Sequence, residues 1–178
     1  MKNIILAITV LLLFNCCNKK DDEPINPIDQ LPPATQTGAN TAGCLVDGKA
    51  FLPKGFIAGG NLNLFYNDGL NFGLSIGEKI NGTLKNINVT SLNQNLMVGE
   101  IYSLQTFEEN SKYGLFSIDV FAPPSPDFYQ TTSTITGELI ITYHDFDNAI
   151  LSGTFWFDAI NSKGEIVEVR EGRFDMEY

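Results

Sequence analysis

Apolar and polar residues alternate with a period of two along most of this chain. Leu70, Phe72, Leu74 and Ile76 alternate with Asn71, Gly73 and Ser75, so the segment has one apolar and one polar side. That is the pattern of a strand with one face on a core. Leu62, Leu64 and Tyr66 repeat it upstream, and Asn67-Asp68-Gly69 between the two runs supplies residues that take positive φ in a tight turn. Cys44-Leu45-Val46, Asp47-Gly48 and Lys49 to Leu52 read as a hairpin with a type I′ turn. Phe116, Ile118 and Val120 predict a further strand, ended by Pro123-Pro124, which cannot feed a ladder. Ile135, Gly137, Leu139, Ile141 and Tyr143, set against Thr134, Thr136, Glu138, Ile140 and Thr142, predict the next. After a polar turn at Asp145 to Asn148, the run Ile150–Ile160 places Leu151, Phe155, Phe157 and Ala159 on one face. In the last strand the apolar parity shifts from Val167 and Val169 to Phe174, Met176 and Tyr178, which predicts a β-bulge at Gly172. No helical spacing competes in this region. The expected fold is all-β: an antiparallel sandwich or barrel of about eight to ten strands, one domain over residues 44–178.

Ahead of the alternation stands a different pattern. Lys2 precedes an apolar run, Ile4 to Phe14, broken only by Thr9 and followed by Cys16-Cys17. The run is shorter than the roughly 20 residues a membrane-spanning helix needs, and it has the length of a removable export signal. A cysteine just after such a run reads as the acylation site of a bacterial lipoprotein. Cys16 has Leu13 three residues before it but Asn15 next to it; Cys17 has the small Cys16 next to it but Phe14 three back. The tract Asn18-Lys19-Lys20-Asp21-Asp22-Glu23 resembles the Lys-then-acidic export tract of Bacteroidetes surface lipoproteins, which favours Cys17 over Cys16. Residues 1–16 are then a signal peptide, and residues 17–43 the lipidated cysteine and a flexible tether with Pro24, Pro27, Pro32 and Pro33. This predicts a lipid-anchored outer-membrane protein, with either the periplasmic or the external face open as its address. A diacylglyceryl group with an N-acyl chain anchors more firmly than one chain.

Charge narrows the partners. The net charge is −10 over 178 residues, and loss of Lys2 with the signal makes it −11. An acidic surface repels phosphate backbones, so no nucleic-acid partner is expected. With Cys17 acylated, Cys44 has no intramolecular partner and reads as a small buried hydrophobe; with Cys16 acylated, a Cys17–Cys44 bridge stays open.

Catalytic chemistry finds little to use. His144 is the one histidine, and its place beside the turn reads as that of a solvated turn residue. Asp145, Asp147 and Asn148 offer oxygens, but the run lacks the glycine and distal glutamate of an EF-hand loop, and Asp in turns ordinarily binds the backbone. A zinc site needs more His and Cys than are present, and no phosphate-binding loop occurs, so no metal or cofactor is expected. Trp156 has the opposite parity to Phe155 and Phe157, which puts it on the other sheet face. Trp156 and Tyr143 are the candidate binding aromatics. The function expected is a non-catalytic binding or accessory module of the cell envelope, with an envelope protein or glycan as partner. The alternative is an envelope hydrolase using a carboxylate pair that spacing alone does not single out.

Leu31 to Thr41, Gly43 to Phe51, Ser152 to Phe155 and Glu171 to Asp175 together resemble a family of Bacteroidetes lipoproteins of unknown function. The resemblance implies source, location and a β-fold, and it carries over no catalytic residue.

Overall fold

The alternating segments pair into one antiparallel sheet of eleven strands. The computed structural model describes residues 25–119 and 123–178; the apolar run Ile4 to Phe14, Cys16, Cys17 and Val120 lie outside the described residues. In chain order the strands are β1 (Thr41–Val46), β2 (Lys49–Phe51), β3 (Leu62–Asn67), β4 (Asn71–Ile80), β5 (Thr83–Ser91) and β6 (Ile101–Leu104). They continue as β7 (Lys112–Ile118), β8 (Phe128–Gln130), β9 (Gly137–Asp145), β10 (Ile150–Ile160) and β11 (Ile166–Glu177). The eight strand segments read from the sequence gain β5, β6 and β8.

Pairing runs β2-β1-β11-β10-β8-β7-β5-β4-β3, with β9 and then β6 attached to β10. β10 is the branch point, since Ile150 to Phe157 pair with β9 while Ile160 alone reaches Gln130 of β8. The sheet bends over so that distant strands face one another: the ring of Phe72 on β4 lies 5.7 Å from Phe174 on β11. Phe157, fully buried on β10, occupies the space that a side chain at Gly114 on β7 would take, with a Cβ there 2.7 Å from the ring. The edges β2 and β3 never pair, so the sheet does not close. The gap is crossed near Lys54, whose N–H donates to Gly77 O at 3.1 Å while Lys79 N–H donates to Lys54 O at 2.8 Å.

The turns follow their sequences. Asp47 and Gly48 have φ of 48° and 73°, and Asp68 and Gly69 have 55° and 67°. Leu70 falls in the second turn, 41% exposed, while Phe72, Leu74 and Ile76 are buried as their parity requires. Leu151, Phe155, Phe157 and Ala159 are likewise buried on one face. Cys44 is buried and free, and burial pushes its thiol far above the ordinary range.

Two bulges redirect side chains. On β11 the ladder slips between Phe155↔Gly172 and Phe157↔Val169, so Arg170 and Glu171 together oppose Trp156. Glu171, not Gly172, takes the left-handed conformation, at φ 55°; Gly172 serves instead for close approach, since a Cβ there would lie 2.5 Å from the Phe155 ring. On β9 the register slips at Thr142, between Tyr143↔Ser152 and Ile141↔Gly153. Beyond that slip the odd-numbered face turns outward, which takes Tyr143 off the core and turns His144 toward it.

The segment expected to be a flexible tether up to residue 43 is ordered at its C-terminal end. Thr41 to Gly43 already belong to β1, paired with β11, and residues 31–40 form a strap across the outer face of β10 and β11. Leu31 is 8% exposed. The fastening is Asp175, 1% exposed. Its Oδ2 accepts from Thr35 Oγ1 (2.7 Å), Thr37 N (2.9 Å), Thr37 Oγ1 (3.3 Å) and Ala39 N (3.2 Å). Its Oδ1 accepts from Gly38 N (2.9 Å) and Ser152 Oγ (2.8 Å). A polar strap with Leu31 as its one buried apolar anchor is held because one carboxylate gathers donors that would otherwise be buried without partners.

Candidate binding cleft

Alternation on β10 sends Phe155 and Phe157 inward and Trp156 outward, where the ring is 36% exposed. It does not lie loose. Its Nε1–H donates to Glu138 Oε2 at 3.1 Å, across the ladder from β9. The Arg170 guanidinium, brought round by the β11 bulge, stands 5.4 Å from the centroid of the indole, within reach of a cation–π attraction. Arg170 is itself fixed: it pairs with Asp158 at 2.6 Å and donates to Phe157 O at 3.2 Å and Val169 O at 3.0 Å. Around the ring opens a cleft of about 560 Å³, lined among others by Ile140, Thr154, Glu171 and Arg173, with Ala34 of the strap as one wall. Arg173 Nη2 donates to Glu171 Oε2 at 3.3 Å. An aromatic surface held by neighbours on both sides loses little freedom when it is covered, which is what a binding platform needs.

Tyr143 does not line this cleft. It faces Ser152, four residues from Trp156 along β10 and so about 13 Å away. Its hydroxyl donates to Asp145 Oδ2 at 3.4 Å, and its pKa is raised by burial and by the Asp145 charge. The two candidate aromatics share a face but not a pocket.

His144 departs from the expected solvated turn residue. It lies within β9, one residue before its end, its Nε2 is 2.9 Å from Tyr178 Oη, and its ring meets Tyr66 edge-on at 5.2 Å. Burial lowers its pKa, against the opposing pull of Asp145. Asp145 organises the turn as expected: Oδ1 accepts from Asp147 N and Asn148 N, both at 3.0 Å, and Oδ2 from Asn148 Nδ2 at 2.8 Å. The Asn148 contacts hold its carboxyl below the usual carboxylate range. Among the described residues no three His, Cys, Asp or Glu side chains are grouped to hold a metal ion.

The two side chains that hold Trp156 are not visible in the sequence. Arg170 and Glu138 are unremarkable charges on strands, and only the ladder register brings both to Trp156. The bulge implied by the parity shift was the available signal.

The cleft residues on β9, β10 and β11 lie within residues 76–176, and these residues match the profile of a family described as a domain of unknown function, DUF6252. The chain belongs to this family. The DUF6252 match takes in Glu138, Trp156, Arg170 and Asp175, and stops short of the strap and β1–β3. No curated protein and no solved structure matches the chain.

Proposed function

We propose that this protein is a lipid-anchored outer-membrane lipoprotein of Bacteroidetes type, acylated at Cys17 or Cys16, whose β domain is a non-catalytic binding module of the cell envelope. The observation that carries the binding role is the preorganised Trp156 in its cleft. Trp and Arg are the side chains that dominate contact energies when they sit together in a desolvated pocket, and here each immobilises the other. Both carboxylates nearest the ring are already engaged, Glu138 by the indole N–H and Glu171 by Arg173, which favours recognition over hydrolysis. An envelope glycan stacking on the indole and an envelope protein covering it are the two partner classes that suit such a surface.

The test compares wild type with Trp156→Ala in binding to isolated native envelopes depleted of this protein. A hot-spot contact predicts a loss of about 2 kcal/mol or more, roughly thirtyfold in affinity, with melting lowered only slightly. Unchanged binding would remove the cleft from the function. A collapse of stability would reassign Trp156 to structure. Turnover of envelope glycans or peptides, abolished by Glu138→Gln, would replace the binding module by an enzyme.

A further inference from the structure

A second cavity lies at an open end of the folded sheet, clear of the Trp156 cleft. It encloses about 310 Å³ and draws its walls from β1, β2, β4, β5, β7, β8 and β11, on both sides of the fold. The floor is apolar and buried: Phe51, Phe116 and Val167 are each 3–4% exposed. The Phe51 and Phe116 rings meet edge-on at 6.4 Å, and Tyr129 leans on Phe116 at 5.7 Å. The charged lining is Asp47, Lys49, Glu78 and Lys85, two positive and two negative groups above an aromatic base.

These charges do not satisfy one another. Glu78 and Lys85 stand directly opposite in the β4–β5 ladder, where unlike charges ordinarily pair. Yet among the described residues no ion pair within 4.0 Å includes Lys49, Glu78 or Lys85. Asp47 is committed elsewhere, its Oδ1 accepting from Glu168 N–H at 2.9 Å. The lining therefore holds two ammonium groups and two carboxylates without an ion-pair partner among the described residues, Asp47 with one oxygen hydrogen-bonded and Glu78 with neither, beside an apolar pocket in a size range that small-molecule sites occupy.

We propose that this cavity binds a small zwitterion with an apolar body, of the class of an apolar α-amino acid. Its side chain lies on the floor formed by Phe51, Phe116 and Tyr129, its carboxylate faces Lys49 and Lys85, and its ammonium group meets Glu78. A simple anion leaves Glu78 unmatched beneath the field of a chain carrying net charge −10; a simple cation leaves both lysines unmatched. Only a ligand with both charges answers the whole lining.

Calorimetric titration of the full chain in detergent micelles at neutral pH tests this with three ligands that share a phenyl body. These are L-phenylalanine, 3-phenylpropionate, which lacks the amine, and 2-phenylethylamine, which lacks the carboxylate. L-Phenylalanine binds tightest, and each truncated ligand binds about tenfold more weakly. Lys85→Gln weakens L-phenylalanine and 3-phenylpropionate but spares 2-phenylethylamine; Glu78→Gln weakens L-phenylalanine and 2-phenylethylamine but spares 3-phenylpropionate. Both substitutions are on partly exposed strand positions, and a melting curve close to wild type accompanies each. Equal binding of the three ligands, no L-phenylalanine binding below about 10 mM, or loss of binding in Trp156→Ala with none in Lys85→Gln would each overturn the proposal. The Trp156 reading stands or falls on its own test.

Discussion

Asp175 offers the sharpest energetic test because one side chain holds an entire segment. Substitution by Ala removes the acceptor for six donors, of which Thr37, Gly38 and Ala39 contribute backbone N–H groups. If the strap stayed in place, three orphaned N–H groups at about 1–3 kcal/mol each would cost about 3–9 kcal/mol. The strap has a cheaper course: it can lift off and hydrate, giving up its docking energy instead. The expected loss is therefore near the lower bound, about 3–4 kcal/mol, or about 10 °C in melting temperature for a domain of this size. Asp175→Asn keeps one acceptor oxygen. With its amide nitrogen in the place of Oδ1, the Ser152 hydroxyl can rotate to accept, and Gly38 N–H alone is stranded. That variant should lose about 2 kcal/mol.

Urea titration followed by circular dichroism gives the global values, and hydrogen exchange locates them. In Asp175→Ala the amides of Thr37, Gly38 and Ala39 should exchange freely, while those of β10 keep their protection at the reduced global stability. If both variants match wild type within about 0.5 kcal/mol, the carboxylate does not hold the strap. A full loss of stability with those three amides still protected would show that Asp175 acts through the core and not through residues 35–39.

Acid should reveal the same group. Burial raises the Asp175 pKa, but the bonds from Thr35, Thr37, Ser152 and Gly38 outweigh it and hold the carboxyl far below the usual range. An unfolded Asp titrates near 3.9, so this stabilisation is complete above about pH 4 and declines as pH falls toward the folded value. Wild type should lose up to about 1.4 kcal/mol per pH unit in that window relative to Asp175→Asn, as measured by urea midpoints. His144 adds a second slope of different origin: its folded pKa is lowered, so the unfolded chain takes up the proton first and stability declines below about pH 6.5. His144→Gln should flatten that decline. Gly114→Ala should cost about 1–3 kcal/mol by forcing the Phe157 ring aside, a loss absent in the exposed turn variant Gly164→Asn. Replacing both Cys16 and Cys17 by Ala should move the protein from the membrane to the soluble exported fraction, and unchanged fractionation would refute lipid attachment.

Much of the fold was legible because its strands are half-buried. Residues such as Phe72, Leu74 and Ile76 must face inward if the segment is a strand at all, and the Asp-Gly turns set the hairpins around them. β6 and β8 were not legible, with four and three residues, too few for a period to emerge. β5 hid for another reason: Ile87 and Val89 are buried, but Leu84 has the opposite parity and the intervening residues include Asn86 and Asn88. The bulges set a harder limit. A slip of one residue on β9 exchanges the faces of Tyr143 and His144, so continuing the alternation through Thr142 gives both residues the wrong side. The parity change between Val169 and Phe174 announced the second bulge, yet Gly172 drew attention from Glu171, because glycine is the usual occupant of positive φ.

The strap shows most clearly where composition stops. Residues 31–40 have few apolar anchors, and a reading based on hydrophobic burial assigns such a segment to solvent. What holds it is an acceptor 135 or more residues away in the chain. Asp175 on β11 and Ser152 on β10 are opposite in the ladder, and the strap's N–H groups converge on them. Neither residue stands out locally; the information lies in the pairing of distant segments, Leu31 to Thr41 with Ser152 and Asp175. The consequence reaches the cleft, because Ala34 walls it and lies next to the knot. If the N terminus is tethered to a membrane, a pull travelling along the chain passes the buried Leu31 and then the Asp175 knot before it reaches Thr41, where β1 begins. Loss of the strap in Asp175→Ala should therefore weaken binding at Trp156 as well as stability, whereas a variant of equal instability in the core, such as Val89→Ala, should leave binding by the folded fraction unchanged. Equal binding by both folded fractions would separate the strap from the cleft and leave it a purely structural clasp.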